Sequence, residues 1–238
     1  MKTTIKLLAL ALVTAAIAVS CGSGSDSEAS QVGQEQEAAE MVGGTYAVDT
    51  EASSITWTGG YIVGDDSHSG TLNLSEGSLS VKDGKITGGN FTMDMNSIAV
   101  TDDMDEGKKG YLIGHLKGTS GDSKKDADFF QVTNYPTASF EITGVEGNEI
   151  SGNLTMLDST HNVTFTAEIT VEDGKLTAST ENFTFDRTLW GIMFKSTVIG
   201  FAKDKAMKNE ITISINLTAN AAGEATSDEE ATEGETAE

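Results

Sequence analysis

The chain has 238 residues, one cysteine, one proline, 26 glycines and a formal net charge of −22. A lone cysteine excludes any intramolecular disulfide, so the fold must hold by its core, and nothing resembles the basic stripe that neutralising nucleic-acid phosphates requires. With Thr, Val, Ile and Phe filling the segments between glycines, the composition favours an all-β domain over a helical one.

Lys2 and Lys6 form a basic start to the chain, the run from Leu7 to Val19 is apolar but short for a membrane span, and small residues precede Cys21. Residues 1–20 therefore look like a bacterial lipoprotein signal, with Cys21 the acylated residue. This implies an exported protein held to a membrane by its lipid, and the residues after Cys21 favour an outer-membrane anchor facing the periplasm. From Cys21 to Gly43 there are five acids and no base, and from Asn220 to the end there are seven acids and no base. Neither stretch has aromatics or apolar periodicity, so the expectation is a flexible tether over 21–43 and a disordered acidic tail over 220–238. That leaves one domain over residues 44–219.

Within it, strands are expected at Ile55–Trp57, Thr71–Leu74, Phe91–Met95 and Ile211–Leu217, the last apolar at every second position. Three further segments run strand, acid-plus-glycine turn, strand: Leu79 to Ile86, Phe140 to Met156, and Val163 to Ala178. Glycine supplies the positive φ of tight hairpins, so the sheet is antiparallel. About eight strands in one small domain point to a barrel or a sandwich, and barrel closure removes exposed edges. Residues 101–136 break the pattern, and a connection of that length predicts one or two short helices covering one end.

Chemistry-bearing groups are sparse. His68, His115 and His161 are far apart, without metal-ligand spacing, and no nucleophile or phosphate-loop motif is present. No cofactor, metal or catalytic residue is expected, so the chain reads as a non-enzyme. His115, set among apolar residues, is either hydrogen-bonded structure or a contact to a ligand headgroup at a cavity mouth. Arg187 is either ion-paired with Asp186 or a clamp for an anionic headgroup, since its fork suits carboxylate or phosphate.

The ordered motifs resemble the YceI family of bacterial lipid-binding proteins: Tyr46-Ala47-Val48-Asp49 with Ser54-Ile55-Thr56-Trp57, Gly114-His115-Leu116-Lys117 with Asp128-Phe129-Phe130, and Tyr135-Pro136-Thr137-Ala138-Ser139-Phe140. The match continues through Gly152-Asn153-Leu154-Thr155-Met156, Thr160-His161-Asn162-Val163-Thr164-Phe165, and Asp186-Arg187-Thr188-Leu189-Trp190-Gly191-Ile192. Leu157-Asp158-Ser159 stands where the family more often carries a K-G-x turn. The resemblance implies a lipocalin-like antiparallel barrel whose elongated apolar cavity holds an isoprenoid or other long-chain amphiphile at the envelope, without catalysis.

The inward-facing candidates are Trp57, Phe91, Met93, Met95, Phe140, Ile142, Leu154, Met156, Phe165, Phe183, Phe185 and Trp190. An eight-stranded barrel is wide enough either to be filled by such side chains or to hold one small ligand. The residues by themselves allow both a cavity wall and a solid core, in which case the molecule would be a surface module binding protein or glycan through its loops.

Overall fold

A computed structural model describes residues 27–222. The signal sequence, Cys21 and most of the acidic tail lie outside the described residues. Thirteen strands form one sheet: β1 (Glu28–Ala29), β2 (Gln31–Gln34), β3 (Gly44–Val48), β4 (Ser54–Gly60), β5 (Ser67–Lys82), β6 (Lys85–Val100), β7 (Thr137–Glu146), β8 (Glu149–Met156), β9 (Ser159–Thr166), β10 (Glu168–Glu172), β11 (Lys175–Ser179), β12 (Phe183–Asp186) and β13 (Glu210–Ala221).

Three pairs act as single interrupted staves. β3 and β4 both pair with β5 and β13, β11 and β12 both pair with β13, and β9 runs on into β10 past the buried Ala167. With β5, β6, β7, β8 and β13 they make eight staves, and the antiparallel ladders close from β8–β9 through β10–β11, β11–β13 and β13–β4 back to β5. The molecule is an antiparallel β-barrel, one of the two architectures the alternation and the turn chemistry allow and the one the resemblance implies.

At one end, called here the base, the β5–β6 and β10–β11 hairpins turn through Asp83-Gly84 and Asp173-Gly174. Both residues of each pair have positive φ (52° and 72°; 49° and 75°), the conformation that gives a hairpin the right-handed twist of its strands. Here Leu176 and Ala219 are wholly buried, with Leu79, Val81 and Ile86 packed beside them. The other end, the mouth, carries the 101–136 connection. It holds one α-helix, α1 (Glu106–Lys117), started by Asp105, whose carboxylate accepts from Gly107 N and Lys108 N, and stopped at Gly118 with φ 70°. Two 3₁₀ turns, Arg187–Trp190 and Thr197–Ile199, lie at the same end and were not foreseen.

The expectation of a free tether over 21–43 fails from Glu28 onward. β1 lies parallel to β12, and β2 lies antiparallel to β9, so the segment fills the seam where β9 and β12 do not pair with each other. It then crosses the outer face: Asn153 Oδ1 accepts from Gln36 N and Nδ2 donates to Gln36 O, Ala39 N donates to Ile142 O, and Val42 meets Thr87 before β3 begins. The segment cannot bury an apolar face of its own. It orders because two strand edges offer unpaired main-chain groups. At the other terminus β13 runs on through Ala221, so the barrel ends slightly inside the span expected to be tail.

Candidate functional site

The interior is hollow. A cavity of about 530 Å³ runs inside the barrel, within the range of small-molecule sites, so the solid-core reading does not hold. Its wall contains Trp57, Phe91, Met93, Met95, Phe140, Ile142, Leu154, Met156, Phe165, Phe183 and Phe185, together with Ile211, Ile213, Ile215 and Leu217 from the alternating strand β13. Four phenylalanines follow one another around the wall: Phe91 to Phe140 at 6.3 Å, Phe140 to Phe165 at 5.7 Å, and Phe165 stacked on Phe183 at 4.7 Å. That last pair joins β9 to β12 beneath the N-terminal segment, bridging the seam with side chains where the strands do not pair.

Two glycines of the sheet seat wall rings. A Cβ on Gly152 would lie 2.3 Å from the Phe140 ring, and one on Gly70 would lie 1.8 Å from Ala99 O and 2.5 Å from the Trp57 ring, so each ring rests directly on a neighbouring strand's backbone. The glycine that opens the Gly152-Asn153-Leu154 motif is thus a seat for an aromatic wall residue. Trp57 also donates from Nε1 to Thr71 O at 3.3 Å, which fixes its ring against the wall.

Trp190 does not border the cavity, which corrects its assignment to the wall. It is buried between Phe185 and His161, and its indole N–H donates to Leu154 O at 3.0 Å. The 3₁₀ turn carrying it takes the side chain out of strand alternation, so period-two reasoning misplaces it. His161 lies within β9, and its Nε2 is 3.0 Å from Leu189 O.

Of the two headgroup candidates, His115 borders the cavity from α1. Its Nε2 lies 2.8 Å from Asp128 Oδ2, and its ring packs edge-on against Phe129 and Phe194 at 5.0 and 4.9 Å. Arg187 also borders the cavity, but it is not ion-paired with Asp186, whose carboxylate instead accepts from Thr188 N and Oγ1. The guanidinium donates to three main-chain carbonyls, those of Lys208, Ile192 and Phe194. Burial lowers its pKa from the usual guanidinium value, against the opposing pull of Asp186 and Glu210. Its fork organises the loop from 192 to 208 and is not free to clamp a headgroup.

Several wall residues escaped the sequence reading. Leu112 and Leu116 of α1 and the pair Phe129 and Phe130 cover the mouth end of the cavity, and apolar islands in a charged connection were the available signal. Tyr61, Lys195 and Phe194 join the same rim, brought there by loops with no periodic pattern. Among the described residues, no group of three His, Cys, Asp or Glu side chains is placed to hold a metal.

A family model described as a YceI-like domain matches residues 46–219. The crystal structure of BcnA from Burkholderia cenocepacia superposes with TM-score 0.51 at 17% identity, covering 73% of this chain and 99% of that one. A domain from Saccharophagus degradans, described as polyisoprenoid-binding and implicated in plant cell wall breakdown, superposes with TM-score 0.52 at 10% identity, covering 74% and 98%. At such identities both likenesses show a shared fold. No curated protein matches the chain.

Proposed function

The chain belongs to the YceI-like domain family, and from that premise we propose that it binds a long-chain isoprenoid-type or similar amphiphilic lipid inside its barrel, without catalysis, as a carrier or store at the bacterial envelope. The observation that carries this reading is the apolar cavity of about 530 Å³, walled by aromatic, leucine, isoleucine and methionine side chains with polar groups confined largely to the mouth. Each CH₂ group moved from water into such a wall gains about 0.8 kcal/mol, so a chain of many carbons is retained without any specific polar contact. Met93, Met95, Met156 and Met207 supply flexible, polarisable surface that adapts to chains of different shape. The polyisoprenoid-binding description of the Saccharophagus domain points the same way.

The proposal includes export and acylation at Cys21, which would hold the barrel to a membrane, with the outer membrane facing the periplasm as the favoured anchor. Tethering suits a cargo whose free concentration in water is negligible. Two measurements test the reading. Organic extraction of protein purified under mild conditions should yield a long-chain lipid by mass spectrometry, and repeated recovery of none, with no uptake of added polyisoprenoid, would overturn it. Intact mass of membrane-extracted protein should show a lipid-modified Cys21, and an unmodified cysteine would remove the anchor.

A further inference from the structure

At the mouth the wall changes chemistry. Four cationic side chains, Lys125, Arg187, Lys195 and Lys208, border the cavity there, against the single carboxylate of Asp66. Three of the cations are accounted for. Lys125 pairs with Asp122 at 3.4 Å, Arg187 is spent on main-chain carbonyls, and Lys208 is exposed to water.

Lys195 differs. Its ammonium meets Tyr61 Oη at 2.6 Å and sits over two rings, 4.9 Å from the centre of Tyr61 and 5.3 Å from that of Phe194. Among the described residues no carboxylate lies within ion-pair distance of it. An ammonium has three donors, and the tyrosine takes one.

The loop holds this side chain in place at some cost. Lys195 stands at φ 48°, a left-handed conformation unfavourable for any residue with a Cβ. Three contacts fix it there. Met207 N donates to Lys195 O at 3.0 Å. The fully buried Ser196 donates from Oγ to Asn209 Oδ1 at 2.8 Å and accepts from Val198 N. Arg187 grips the carbonyl of the preceding Phe194. Strained backbone, a half-buried cation without a counter-ion and an aromatic cradle occur together where an apolar cavity meets water.

Resting on the lipid-binding reading above, we propose that Lys195 and Tyr61 form the station for the polar end of the bound amphiphile. The station selects a chain ending in a carboxylate or phosphate over one with a neutral head. The anionic oxygen accepts from the free ammonium donors and from the tyrosine hydroxyl while the tail runs into the barrel. Hydrogen bonds to a charged group are roughly twice as strong as neutral ones, which gives the station its discrimination.

The test uses the full chain after lipid removal and four probes: palmitate against hexadecanol, and farnesyl phosphate against farnesol. The wild-type protein should bind at least one anionic probe about tenfold or more tighter than its neutral partner, and the pair showing the larger ratio identifies the head. Lys195→Met should reduce that ratio to near one by weakening the anionic probes far more than the neutral ones, Lys195→Arg should retain most of it, and Tyr61→Phe should fall between. Equal affinities in the wild type, or a ratio that survives Lys195→Met, would overturn the station while saturable binding of the alcohols leaves the lipid-binding reading standing. Failure of all four probes to bind would remove both.

Discussion

The two ends of the barrel are made of the same strands and do opposite things. At the base, tight Asp-Gly hairpins close the barrel, Leu176 and Ala219 have no exposed surface, and the cavity reaches Leu79 and Ile86 but not Leu176 or Ala219. At the mouth, the connections are long, the capping elements are one α-helix and two 3₁₀ turns, and Ile62, Val63, Val198, Ile199 and Phe201 stand exposed. The strands stay paired along their length, so the width is the same and what differs between the ends is which inward side chains and capping connections fill the space. One closed sheet can thus be filled at one end and hold a container at the other, with the inward side chains and the capping connections deciding which.

That contrast can be broken from either end. The largest effect belongs to the base: Leu176→Ala should cost about 2–5 kcal/mol in urea unfolding, as deletions in filled cores do, and leave lipid uptake by the surviving folded protein unchanged. A cost below about 1 kcal/mol would mean the base is not packed. Next comes the strap that closes the seam. Asn153→Ala removes both hydrogen bonds to Gln36 and should destabilise by about 1–3 kcal/mol, with amide exchange rising first between Glu28 and Gln36. Exchange that rises uniformly through the barrel would show that the strap is not a separate unit.

Filling the container should reverse the pattern. Ala138 is buried against the cavity, so Ala138→Phe places a ring in open space and should lower lipid affinity by about tenfold, or 1.4 kcal/mol, with little change in stability. The smallest effect lies at the outer rim. The hydrogen bond from Tyr135 to Asp158 raises the tyrosine pKa, so the folded state favours the protonated phenol. Its contribution is present below the phenol's ordinary titration range and is lost as pH rises through the folded value. Tyr135→Phe should therefore narrow the stability difference between neutral and strongly alkaline pH, and an unchanged difference would assign the alkaline loss elsewhere.

How much of this was legible beforehand follows from where each signal resides. The hairpins and β13 carry their period in side chains, so strand positions and most of the wall could be read from the sequence, down to the rings of Phe140, Phe165 and Phe183. Trp190 was misplaced because a 3₁₀ turn interrupts the alternation just before it. The strap was unreadable because what orders Glu28 to Gln34 is main-chain pairing with β12 and β9, and backbone donors leave no trace in residue type. Lys195 was unreadable for another reason. Its position depends on Arg187, Ser196 and Met207, whose side chains and amides meet only after the loop has closed.

If the barrel is a container, its hollow interior receives one long apolar chain. Native mass spectrometry of the delipidated protein with a long polyisoprenoid alcohol measures this most directly. A saturable complex of one chain per protein should form and be lost or strongly weakened in Ala138→Phe; no complex, or one indifferent to that substitution, would mean the barrel is not a lipid container.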